Sequence, residues 1–178
     1  MTIQQRRTKM EKSIFLGSVA VLAVTMATSV YGAESPITGT VQAKCSVYTT
    51  TEGVYGNPNP STLSTATADG GVESVIRMDV AAGDYYLGRI TYPNQFSSSP
   101  SLIDTVTWTG DVTVQQVSDP LMSGYDTDKV TYNNVHEYDL TVAGSTWFKV
   151  SSTAVYGVDK SLPAGTYTAI ATAECIAK

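Results

Sequence analysis

ITGTVQAKC, residues 37–45, opens the body of this chain, and LPAGTYTAIATAEC, residues 162–175, closes it. In the first stretch Ile37, Gly39, Val41, Ala43 and Cys45 fall on one face, and Thr38, Thr40, Gln42 and Lys44 on the other. That is the period-two alternation of a half-buried β-strand. The closing stretch alternates in the same way after a turn around Pro163 and Gly165. Cys45 and Cys175 are the only two cysteines. In an exported protein such a pair reads as one disulfide, here tying the first strand to the last. That geometry suggests an all-β protein, a β-sandwich whose terminal strands meet.

Export is read from the start of the chain. Arg6, Arg7, Lys9 and Lys12 form a basic segment, Ile14 to Val30 carries no charge, and small residues follow at Gly32 and Ala33. This is the three-part layout of a cleaved signal peptide, predicted over residues 1–33. The apolar run is short for a membrane span and no second one follows, so no stable membrane insertion is expected after cleavage. Of the 11 Lys and Arg and 16 Asp and Glu, residues 1–33 hold four and one, leaving 7 and 15, a net charge of −8. An acidic surface of this kind repels nucleic acid and anionic membranes. About 145 residues remain, enough for one core and a single domain.

Thr, Ser, Val and Tyr are abundant while Leu, Glu and Lys are sparse, a composition that favours strands over helices. The pattern predicts strands at Ile37–Tyr48, Val72–Val80, Tyr85–Tyr92, Asp104–Trp108, Val112–Val117, Val130–Asn133, His136–Val142, Trp147–Val150 and Thr166–Ile176. Thr109-Gly110-Asp111 reads as a tight hairpin turn. Residues 49–71, with Asn57-Pro58-Asn59-Pro60 and Gly70-Gly71, read as one long surface loop or an irregular edge.

Catalytic chemistry is nearly absent. His136 is the only histidine, so a His-rich metal site is excluded and any Ser-His-Asp triad depends on it alone. In the alternating run Val135-His136-Glu137-Tyr138-Asp139-Leu140 it reads as a solvent-facing strand residue. No nucleophile elbow or zinc-binding helix motif occurs. The chain is therefore read as a non-enzyme without catalytic residues, metal ligands or cofactor. Asp119, Asp126 and Asp128 cluster, but not at the spacing of a calcium loop, and read as turn residues. Tyr85, Tyr86, Tyr92, Trp108, Tyr125, Tyr132, Tyr138, Trp147, Phe148 and Tyr156 are read mainly as core and cross-strand packing.

The segment before Cys45 has two readings. It is either the first strand of a self-contained sandwich or a strand donated to a neighbouring copy, completing that copy's sheet through main-chain hydrogen bonds. Repeated head-to-tail donation builds an open polymer.

The secretion signal, the early ITGTVQAKC strand, the Thr/Val-rich body and the closing LPAGTYTAIATAEC strand resemble bacterial pilus subunits of the chaperone–usher type, in particular their archaic branch. The resemblance implies an Ig-like β-sandwich completed by donor-strand exchange, with residues 34–44 as the donor strand and 45–178 as the pilin domain. Ile37, Gly39, Val41 and Ala43 would be the donor side chains, Gly165, Thr166 and Tyr167 would open the last strand, and Cys45 and Cys175 would be the staple. It implies a homopolymer at the cell surface serving adhesion, with a periplasmic chaperone and an outer-membrane usher as assembly partners. The alternative is a monomeric secreted binding module, for carbohydrate or another surface ligand, displaying several aromatics on one exposed face.

Overall fold

A computed structural model describes residues 38–178 apart from Ala43; the predicted signal segment 1–33 lies outside the described residues. The described residues form ten strands: β1 (Cys45–Thr51), β2 (Gly56–Asn59), β3 (Thr62–Ser64), β4 (Ser74–Val80), β5 (Tyr86–Thr91), β6 (Val106–Val117), β7 (Val130–Tyr132), β8 (Val135–Leu140), β9 (Gly144–Tyr156) and β10 (Thr172–Ala177). Two 3-10 turns, Thr67–Asp69 and Pro120–Met122, and one helical turn, α1 (Tyr125–Asp128), lie between them. Among the described residues no helix is long and apolar enough to cross a membrane.

Every strand pairing is antiparallel. In the first sheet β9 is central. Its first half pairs with β4 and its second half with β3 along one edge, while β6 follows the other edge from Val106 to Val117. β1 extends the sheet beyond β4, and β2 beyond β3. The second sheet runs β10-β5-β8-β7. Side chains from both sheets share one core, in which Met78, Ile90, Val112, Tyr138, Leu140 and Phe148 are almost fully enclosed. Tyr138 and Phe148 meet across it with ring centroids 4.6 Å apart. Each such aromatic or aliphatic side chain contributes roughly 1.5–3 kcal/mol by leaving water.

β9 shows most clearly how sequence becomes structure. From Thr146 to Tyr156 every second residue is buried and the ones between are half-exposed. The inward series runs Thr146, Phe148, Val150, Ser152, Ala154, Tyr156, so its apolar half faces the core and hydroxyls interrupt it further along. Only Trp147–Val150 was legible as strand, because the hydroxyl-rich remainder looks like loop.

Three further expectations are corrected. Thr109-Gly110-Asp111 is not a hairpin turn but the middle of β6, laddered to Thr153, Ser152 and Ser151 of β9. A Cβ on Gly110 would sit 2.6 Å from the Tyr92 ring and 2.6 Å from the Ser151 carbonyl oxygen. Gly110 therefore makes room for close packing instead of reversing the chain. The first strand begins at Cys45 rather than Ile37, because Cys45 is opposite Val80, the last residue of β4. One more bond, from Ala81 N–H to the Lys44 carbonyl at 2.8 Å, ends the ladder, and residues 38–42 run past it without a strand partner. The last strand starts at Thr172 rather than Thr166. Of the two readings of residues 49–71, a long surface loop or an irregular edge, the structure has the second, since they end β1 and form the β2–β3 hairpin. Pro58 is tolerated there because β2 is an edge strand.

Replacing Gly110 by Ala should cost about 1–3 kcal/mol, since backbone on one side and a packed ring on the other leave no room for a methyl group. Chemical denaturation measures it; an unchanged midpoint would show that Tyr92 yields freely and that Gly110 has no packing role.

Candidate functional site

The two edge strands β1 and β10 are joined by the Cys45–Cys175 disulfide, with the Cα atoms 6.1 Å apart. Among the described residues β1 pairs only with β4 and β10 only with β5, so within them the bridge ties a free edge of one sheet to a free edge of the other. The predicted staple is therefore present. It closes a loop of 130 residues, for which the chain-entropy relation gives about 4–5 kcal/mol.

Away from the bridge the edges part. Thr49 and Gly53 on one side and Thr168–Ala171 on the other enclose a cavity of about 470 Å³. Its floor is the interior face of the first sheet, including Ile76 and Val150. The floor turns polar at Ser152. Ser152 N–H donates to Thr65 Oγ1 at 2.9 Å, Thr65 N–H donates to the Ser152 carbonyl at 3.0 Å, and the Tyr55 hydroxyl pairs with Ser152 Oγ at 3.0 Å. Burial pushes the Tyr55 phenol above its ordinary pKa, against an opposing contribution from Ser152. Further hollows continue beside Val54, Leu63, Gly165 and Tyr167. Exposed apolar side chains stand along this region, with Ile170 62% and Val54 55% accessible.

Around Thr168 the segment before β10 is held by the chain at residues 97–98. Ser97 N–H donates to the Thr168 carbonyl at 2.7 Å and Thr168 N–H to the Ser98 carbonyl at 2.8 Å. Phe96 packs against Tyr167 and Trp108 with centroids 5.0 and 4.7 Å away. Gly165, Thr166 and Tyr167 thus precede the last strand rather than open it. Nothing in their spacing signals the loss of pairing; it follows from the missing neighbour on the β1 side.

Of the donor residues, Gly39 and Val41 lie in the exposed stretch before β1. Val41 is 85% accessible, and nothing stands within 4 Å of where a Gly39 Cβ would be. Ile37 and Ala43 lie outside the described residues.

The opposite side of the molecule is closed by charge. Lys129 Nζ reaches Asp111 Oδ1 at 3.1 Å and the Val112 carbonyl at 2.6 Å, and lies 3.8 Å from Asp126 Oδ1. The Tyr138 hydroxyl donates to the same Val112 carbonyl at 2.7 Å. His136 belongs to this cluster and is 3% accessible, correcting the solvent-facing expectation. Strand alternation was the right signal, but its phase places His136 with Tyr138 and Leu140 inside and Glu137 and Asp139 outside. The ring lies between Thr131 Oγ1, 3.1 Å from Nδ1, and Asp111 Oδ1, 3.5 Å from Nε2. Burial and then Lys129 lower its pKa, outweighing the pull of Asp111 and Asp126.

The acidic cluster is used structurally. Asp119 accepts the Leu121 N–H at 2.8 Å and caps the turn that follows, and Asp126 accepts the Val114 N–H at 2.8 Å. Among the aromatics, Tyr125, Tyr138, Phe148 and Tyr156 are buried, while Tyr85 and Tyr132 are 49% and 41% accessible. On the outer face of the first sheet Arg77 is inserted between Tyr48 and Trp147, 4.9 and 5.8 Å from the ring centroids. Comparison with known protein families, with curated proteins and with solved structures finds no match for this chain.

Two outcomes test this arrangement. Changing both cysteines to Ser should lower the melting temperature strongly, by the order of 4–5 kcal/mol of stability; an unshifted calorimetric transition would remove the staple from the account. His136 is depressed in the folded state, so the unfolded chain takes up its proton first. Its contribution is complete above the unfolded value of about 6.5 and is lost as pH falls below it, by at most about 1.4 kcal/mol per pH unit. His136→Gln should flatten that part of the stability curve relative to the unaltered protein; parallel curves would contradict the assignment.

Proposed function

We propose that this protein is the structural subunit of an extracellular filament, an Ig-like β-sandwich completed by a strand donated from a neighbouring copy. The observation that carries the reading is a pairing of opposites within one chain. An apolar-floored groove lies between two sheet edges that are unpaired among the described residues, and of the alternating sequence before β1 the described residues 38–42 have no strand partner. A strand laid in the groove would gain main-chain hydrogen bonds on both sides, and burying Ile37 and Val41 would add roughly 1.5–3 kcal/mol each.

Filling by the same copy is disfavoured by local chemistry. The segment would have to reverse at Lys44-Cys45, which supplies none of the Gly, Pro, Asn or Asp residues that tight turns use, at the point where the edges are bridged. Donation between copies needs no reversal and continues head to tail. In this reading the protein is secreted, its partner is itself, and a periplasmic chaperone and an outer-membrane usher protect and deliver the incomplete sandwich. Binding rather than catalysis is its chemistry.

Negative-stain microscopy of the mature protein and of a variant lacking residues 34–43 tests the reading. Filaments from the complete mature chain and none from the truncation are expected. Monodisperse particles from both, with the truncation unfolding more easily, would make the segment an internal strand and leave the secreted binding module in its place.

A further inference from the structure

Resting on that reading, we infer that the Cys45–Cys175 bridge is also the closed end of the groove, a stop that sets how far the donated strand enters and in which register it pairs. A strand hydrogen-bonded on both sides needs its neighbours about 9.6 Å apart, twice the normal spacing of about 4.8 Å. At the bridge the edges stand 6.1 Å apart, Cα to Cα, so no strand passes between them. Beyond it they enclose the 470 Å³ cavity.

The direction of entry follows. β1 and β10 run antiparallel along the groove, for Cys45 faces Cys175 while Thr49 and Gly53 face Thr168–Ala171. The donor segment is tied at its C-terminal end to its own Cys45 through Lys44 alone, so that end stays at the open mouth beside the donor's body. Its N-terminal end therefore leads toward the acceptor's bridge, parallel to β1. The lengths agree. Residues 37–43 extend over roughly 23 Å at about 3.3 Å per residue, and residues 46–53 of the acceptor's β1 edge over roughly 26 Å. Pro36 lacks an N–H and ends the donor's ladder just before Ile37. Ile37 thus comes to rest beside the bridge.

A stop matters because alternation alone does not choose among registers. A slip by two residues keeps the apolar face inward, and the series Ile37, Gly39, Val41, Ala43 tolerates such slips on pattern. The bridge removes those that run too deep.

The experiment is photo-crosslinking of assembled mature protein carrying a diazirine analogue of leucine at position 37, with the products mapped by mass spectrometry. The expected products join position 37 to the residues flanking the partner's bridge, Ser46–Tyr48 and Thr172–Glu174. The double variant Cys45→Ser, Cys175→Ser should give a set of products spread by steps of two residues. Products at Gly165–Tyr167 in the unaltered protein would overturn the stop without any variant being needed. A single unchanged register in the double variant would also overturn it while leaving strand donation standing. Absence of any product between copies would instead remove donation itself, and the stop with it.

Discussion

The separation between the free edges of β1 and β10 is the constraint on which the rest of this molecule depends. At one end a covalent bond holds them 6.1 Å apart, closer than an intervening strand allows. At the other they diverge around a cavity floored by the interior of the first sheet. A two-sheet protein normally hides such a seam by pairing or covering its edges. Here one edge pair is left open among the described residues, and residues 38–42 of the alternating sequence before β1 have no strand partner.

The two sides of the molecule solve the closure problem differently. Opposite the seam, Lys129 spans from the β7 side to Asp111 and the Val112 carbonyl of β6, and Tyr138 adds a second donor to that carbonyl. Such contacts hold a side shut only while their charges and hydrogen bonds are intact. The disulfide is indifferent to pH and placed where covalent strength matters, because no main-chain ladder joins β1 to β10 along the seam. Ser152, Thr65 and Tyr55 show the transition between these regimes. They pair with one another at the groove floor, where β9 passes from the core to the open seam.

Much of this was legible in the sequence. Cys45 and Cys175 announced the staple because two cysteines have one way to pair within a chain. The short strands around β5, β7 and β8 followed from alternation between clear turn residues. Three features were not legible, each for a physical reason. Gly110 has the composition of a turn, but its missing side chain is a space filled by Tyr92, a residue far away in sequence. The second half of β9 carries Ser151, Ser152 and Thr153 in a row, Ser152 inward at the groove and its two neighbours on the outer face, so propensity reads it as loop. His136 lies on the inner face of β8, where Lys129, Asp111 and Thr131 surround it, and burial depends on those neighbours rather than on its own run. The groove itself is a property of edges that fail to meet, which no local pattern encodes.

The account's central claim is that the seam between Thr49–Gly53 and Thr168–Ala171 is a strand-binding site. Hydrogen exchange of the mature protein, with and without a synthetic peptide of residues 34–44, measures this directly. The account predicts slowed exchange at amides along both rims of the seam, with the outer edge of β6 and β7 unchanged. Unaltered exchange along the rims at saturating peptide would contradict it.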